Sequence, residues 1–159
     1  MKPKTIAFCA VIAALYATIT YLSGEAGFTP LQLRPAEALT LLPFLFPQSM
    51  WGLFVGCAIA NIISPIGVLD MIFGPLATLI AAFLTSKCKT LWMAAIPPII
   101  INAIVVGTII MIGAPDVGGS WPAAVGWIAV SQAFSAGFLG IVFTLSLKKL
   151  KIVDMMKTL

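Results

Sequence analysis

The 159 residues contain no histidine. The commonest metal ligand and the side chain most often used as a general base near neutral pH are therefore both missing. No G-x-x-x-x-G-K-[ST] stretch occurs, which removes a phosphate-cradling P-loop and, with it, the usual basis for ATP hydrolysis by this chain. Neither a nucleophile elbow nor an H-E-x-x-H helix is present. The three cysteines, Cys9, Cys57 and Cys88, are odd in number and widely spaced, so neither a disulfide framework nor a zinc site is implied. Charge is also scarce, at 9% of residues, against ~25% in a soluble domain. These absences argue against an enzyme. No catalytic residue, cofactor or metal ligand is expected.

What fills the chain instead is apolar: 61% of residues are hydrophobic and the mean hydropathy is +1.12. A water-soluble fold this apolar has too little polar surface to face solvent, so the lipid bilayer is the expected surroundings. The net charge of +4 does not indicate nucleic acid, because the eight lysines sit in three places that flank apolar runs. They are Lys2 and Lys4, then Lys87 and Lys89, then Lys148, Lys149, Lys151 and Lys157. Lysines placed this way mark cytoplasmic loops.

A spanning helix takes roughly 20 apolar residues. The pattern predicts an all-α membrane protein of one domain, a bundle of six transmembrane helices at about 5–22, 35–46, 50–63, 69–86, 91–112 and 121–147. The first run lacks a convincing cleavage site and is read as helix one, not as a signal peptide. The second segment opens at Pro35 and stops at Pro47, short for a full crossing. Gly74-Pro75 predicts a break or kink in the fourth. Six spans put every lysine cluster, the N-terminus and the C-terminus on the cytoplasmic side, whereas five or seven would strand one cluster outside.

The remaining charges gather in the other half. Arg34, Glu25, Glu37, Asp70 and Asp116 lie toward the outer side, which is net acidic. Ionisable groups at membrane depth are costly, and they default to functional hypotheses. Arg34 and Glu37, three apart at the start of the second helix, can share one face. Glu37 either pairs with Arg34, accepts N–H donors from a planar ligand, or caps its own helix. Asp70, opening the fourth helix, has the same choice between ligand and cap. Asn61, Asn102 and Gln132 are amides within helices, suited to a ligand or to a neighbouring helix. Trp127 is a candidate for stacking on a flat ligand, with Ser131 and Ser135 following on its face. Trp121 reads as an interface anchor. On helix one, Ala7, Ala10, Ala13, Ala14 and Ala17 form small-residue spacing that lets another helix approach, either within the chain or from a partner protein.

Two stretches carry a family resemblance: LRPAEALTLLPFLFP, Leu33 to Pro47, and GLFVGCAIANIISPIGVLDMIFGPLATLIAAFLTSK, Gly52 to Lys87. With the lysine-tipped last helix, they resemble the QueT family of queuosine-precursor transporters, S components of energy-coupling factor (ECF) transporters. The resemblance implies a six-helix S-component fold with a ligand pocket near the outer face and no ATPase activity in this chain. It implies residence in the bacterial cell membrane and assembly with a membrane T component and two cytoplasmic ATPase subunits. Ala10, Ala13, Ala14 and Ala17 would meet the T component. The implied solute is queuine or a 7-deazaguanine precursor, held by a substrate-binding set of Arg34, Glu37, Asn61, Asp70, Asn102, Trp127 and Gln132. Two other readings remain open: an S component for a different vitamin-like or nucleobase solute, and a small membrane scaffold that binds no solute. A lipid-acting membrane enzyme is disfavoured by the missing histidine and nucleophile–base pair.

Overall fold

The computed structural model describes residues 2–24 and 33–150. Glu25, Lys151 and Lys157, all used in the charge reading above, lie outside these described residues. Helix α1 runs over Pro3–Leu22. A 3₁₀ helix, Pro35–Phe44, follows, then α2, Ser49–Ala60, prolonged by the 3₁₀ turn Asn61–Ile63. Next come α3, Val68–Lys87, and α4, Leu91–Gly113. A short helix α5, Pro115–Gly118, lies between the fifth and sixth expected spans. The last rod joins α6, Trp121–Gln132, a π-helical turn Ala133–Leu139, and α7, Gly140–Lys149. Among the described residues, four rods are long and apolar enough to cross a membrane: α1, α3, α4 and the joined rod Trp121–Lys149. Large apolar side chains such as Val11, Phe83, Ile100 and Val142 cover the outside of the bundle, as a bilayer surface requires.

The short second segment is the centre of the molecule. The 3₁₀ helix touches α1, α2, α3, α4, α7 and the π-helical turn, and Leu39, Leu41 and Leu42 are buried within that ring. A 3₁₀ helix rises ~2.0 Å per residue against ~1.5 Å for an α-helix, so its ten residues reach ~20 Å where an α-helix would reach ~15 Å. That extra reach explains how so short a segment serves as a core rod. Its slimness also suits a rod enclosed on every side, and Gly140 clears its path: a Cβ there would stand 3.2 Å from Ala38 O and Leu41 Cδ1.

Close helix contacts come from missing side chains. Gly52 and Gly56 form a G-x-x-x-G pair on α2. A Cβ on Gly52 would stand 2.5 Å from Cys9 O, and one on Gly56 would stand 2.9 Å from Ala13 O. The matching order of contacts, Cys9 to Gly52 and Ala13 to Gly56, makes α1 and α2 parallel. Tyr21 Oη extends the seam by donating to Ile59 O at 2.7 Å. Gly107 does the same for α4 against Val125 of α6. Gly74-Pro75 does not break its helix, contrary to one of the two outcomes expected there; α3 continues through it from Val68 to Lys87.

The lysines Lys2, Lys4, Lys87, Lys89, Lys148 and Lys149 mark one end of the bundle, where Lys148 Nζ lies 5.0 Å from the Phe44 ring centre. Arg34, Asn61, Asp70 and the α1 C-terminus lie toward the other end, by the direction of each helix.

Candidate functional site

Between the bundle centre and the end away from the lysines, charged and amide side chains converge on one small cavity. Its lining is Arg34, Glu37, Cys57, Asp70, Gly74, Thr78, Asn102, Val106 and Gln132, from the 3₁₀ helix and its entry, α2, α3, α4 and α6. Arg34, Glu37, Asp70, Asn102 and Gln132 are each at most 4% exposed. Burial this deep in an apolar bundle demands partners, and the residues supply many of them to one another.

Two linked sets are visible. In the first, Arg34 Nη1 donates to Asn61 Oδ1 at 2.9 Å, and Arg34 Nη2 lies 3.6 Å from Asp70 Oδ2. Asn61 Nδ2 donates to the Asp70 carbonyl at 3.0 Å, and Ser64 Oγ donates to Asp70 Oδ2 at 2.6 Å. This set ties the entry of the 3₁₀ helix to the α2–α3 corner. In the second, the Tyr16 hydroxyl donates to Glu37 Oε1 and Asn102 Nδ2 donates to Glu37 Oε2 at 3.3 Å. Thr40 Oγ1 donates to the Glu37 carbonyl at 2.6 Å. Glu37 thereby joins α1, the 3₁₀ helix and α4. Both carboxylates lie in the first turn of their helices, where an acid also complements the helix macrodipole.

The wall next to Asp70 is kept low by Gly74. A Cβ there would collide with Asn61 Nδ2 and stand 2.9 Å from Asp70 Oδ1. Thr78, one turn on, donates to Gly74 O at 3.1 Å and lies 3.4 Å from Cys57 Sγ. The cavity is tight, about 10 Å³. That is room for one water, for which ~10–15 Å³ suffices. The described conformation is a closed one, and a bicyclic ligand would have to spread the walls.

Six of the seven substrate-binding candidates are thus brought together: Arg34, Glu37, Asp70, Asn102 and Gln132 in the lining, and Asn61 bonded to Arg34. Trp127 is not with them. It is 54% exposed on the outside of α6 and absent from the lining, whereas Ser131 and Ser135 are buried. The expected shared face of Trp127 and the two serines therefore does not form. Trp121 is also on the outside, its Nε1 donating to Thr108 Oγ1 at 3.0 Å. The small-residue stripe of α1 divides as well. Ala13 and Ala17 are buried inside the bundle, Ala13 beneath Gly56, so the expected partner surface cannot include them; Ala7, Ala10 and Ala14 face outward.

Tyr16, Ser64, Thr78 and Cys57 belong to the site and are missed by the sequence reading. Tyr16 and its partner Glu37 are 21 positions apart, so no local spacing announces the pair. Ser64 lies six positions before Asp70, across a corner whose geometry sequence periodicity does not describe.

A buried polar centre inside an apolar bundle with four membrane-spanning-capable rods among the described residues fits a multi-pass membrane protein. A family model described as QueT transporter matches residues 6–149. The chain belongs to this family, that of the queuosine-precursor S components, whose members are membrane transport components and not enzymes. Comparison with curated proteins and with solved structures finds no match.

Proposed function

We propose that this chain is the substrate-binding S component of an ECF-type transporter, taking up a queuosine precursor, either queuine or a 7-deazaguanine precursor of it. One observation carries the reading: two carboxylates and a guanidinium are almost wholly buried around a single cavity in a bundle that is otherwise apolar. Such groups are expensive at membrane depth, and a purely structural bundle has no need of them. With two carboxyl groups and several amide oxygens around one guanidinium, the cluster is rich in acceptors and favours a ligand rich in N–H donors. A guanine-like edge, with its ring N–H beside an exocyclic amine, has that character. The amides Asn61, Asn102 and Gln132 complete the polar set and suit the remaining ring heteroatoms.

The same reading places the chain in the bacterial cell membrane with both termini in the cytoplasm, as the lysine clusters favour. Its partners are a T component, met through the outward face of α1 at Ala7, Ala10 and Ala14, and two cytoplasmic ATPases that supply the energy. Because the pocket is closed to a heterocycle, ligand entry requires the walls to part.

A thermal-shift panel of the purified protein tests the solute. Queuine and the aminomethyl and cyano deazaguanines should raise the melting temperature, because a ligand bound to the folded state alone at ~100 times its dissociation constant adds ~2.7 kcal/mol. Guanine should do so less. A rise only with unrelated vitamins would leave an S component of another specificity. No rise with any compound would favour the scaffold reading.

A further inference from the structure

Glu37 and Asp70 line the same cavity, yet their oxygens are engaged differently. Both oxygens of Glu37 already accept a hydrogen bond, one from Tyr16 and one from Asn102. Using Glu37 to hold a ligand edge in two-point fashion would displace those donors and loosen α1 and α4 from the 3₁₀ helix. At Asp70 only Oδ2 is occupied, by Ser64 and the guanidinium of Arg34. Asp70 Oδ1 is buried and accepts nothing, and Gln132 Oε1, elsewhere in the same lining, is in the same condition. Buried acceptors without donors are uncommon and costly, so each calls for an explanation. Room in front of Oδ1 is preserved by Gly74, whose missing side chain would otherwise fill it.

Resting on the solute-binding reading above, we infer that Asp70 Oδ1 is the acceptor that reads the N–H edge of the ligand, with Gln132 as its second polar contact, while Glu37 acts as a positioning residue that fastens three helices around the pocket. The ligand class this selects is a flat heterocycle with an N–H donor that meets a carboxylate at one edge. A carboxylate has no proton to give, so a lone pair presented at Asp70 is rejected. Gln132 is permissive by contrast, because its amide can turn to present either its carbonyl or its NH₂. Specificity therefore falls on Asp70, and breadth is left to Gln132.

Calorimetric titration of the full chain with two probes, 7-deazaguanine and 7-deazahypoxanthine, tests the assignment, since the second lacks only the exocyclic amine. The wild type should prefer the first by about tenfold to a hundredfold, the scale of a hydrogen bond to a charged group. Asp70→Asn should shrink that preference by at least about fivefold, because the bond is no longer charge-assisted. Glu37→Gln should weaken both probes together and keep the preference. A preference that survives in Asp70→Asn and collapses in Glu37→Gln would overturn the inference and leave the solute-binding reading intact. If neither probe binds the wild type, the deazaguanine reading itself fails. Should Asp70→Asn not fold, Asp70→Glu serves: its longer side chain enters the space beside Gly74 and should weaken both probes by about tenfold or more, and wild-type affinity there would equally overturn the assignment.

Discussion

Toward the lysine end, Ile12, Leu39, Leu42, Phe46 and Leu53 pack in one apolar cluster with Phe8, Met50 and Leu147 around it. Toward the other end, Arg34, Asn61, Ser64 and Asp70 hold the helices by directed bonds between 2.6 and 3.6 Å. The first region is held by shape: glycine at 52 and 56 lets α2 lie on α1, and dispersion rewards the fit. The second is held by charge and hydrogen bonding, in surroundings where a group deprived of its partner has no water to turn to. Packed regions resist opening in proportion to area, while polar networks open when a better partner arrives. If the polar end binds solute as proposed above, a transport component benefits from that division, with one half held by packing and one whose contacts a ligand would exchange.

Breaking the polar end should have the largest effect. Arg34→Met leaves the Asp70 carboxylate buried without its counter-charge, for which ~3–5 kcal/mol of destabilisation is expected. Reversible unfolding in mixed detergent micelles measures it. A loss no larger than that of a surface pair, ~0–1 kcal/mol, would mean the polar end contributes little to the fold. Next comes Tyr16→Phe, which strips one donor from Glu37 and should lower stability by ~1–3 kcal/mol, the cost of leaving a buried polar group without its partner. The same variant should also weaken binding of deazaguanines, because Glu37 loses its tether to α1.

At the packed end, Gly52→Ala places a methyl 2.5 Å from Cys9 O. Overpacking of this kind costs ~1–3 kcal/mol. Its diagnostic feature is selectivity: the folded fraction should bind ligand with wild-type affinity, since Gly52 lies away from the cavity lining. Equal loss of stability and affinity would show the two ends to be one cooperative unit.

How much of this was legible in the sequence differs between the two ends. The polar residues stand out because they are rare in an apolar chain, and burial cost alone brings Arg34, Glu37, Asn61, Asp70, Asn102 and Gln132 into view. Their pairing was not legible. Arg34 reaches Asn61 across 27 positions and Glu37 reaches Asn102 across 65, so the partner of each depends on how the helices stack. Hydrophobic length located six apolar segments, of which four are long and apolar enough to cross a membrane among the described residues. What length did not convey was the 3₁₀ form of the second segment or the π turn at Ala133–Leu139. Both change the rise per residue without changing hydrophobicity. The G-x-x-x-G pair on α2 and the small residues of α1 are two sides of one packing signal, since Gly56 lies against Ala13.

The smallest expected effect is also the sharpest check on how a residue's side of a helix is assigned. Trp127 lies among outward-facing residues of the last rod with Val130, Phe134 and Phe138, and all four are about half exposed or more. Phe134 and Phe138 stack at 5.9 Å between ring centres, forming an aromatic surface suited to acyl chains and headgroups, not to a polar solute. Trp127→Ala should therefore change stability by no more than ~0.5 kcal/mol, as for surface positions in general. Deazaguanine affinity, measured by the same titration, should stay within about twofold of wild type, because stability and binding both draw on residues from which Trp127 is separated by its own helix. A tenfold loss of affinity would mean that α6 turns when ligand arrives. The π turn just below Gln132 supplies a physical route for that, since absorbing its extra residue would rotate the helix above it by roughly one position. In that event the indole would swing toward the cavity as the walls part, and the division between a polar pocket and an aromatic lipid face would belong to the closed conformation alone.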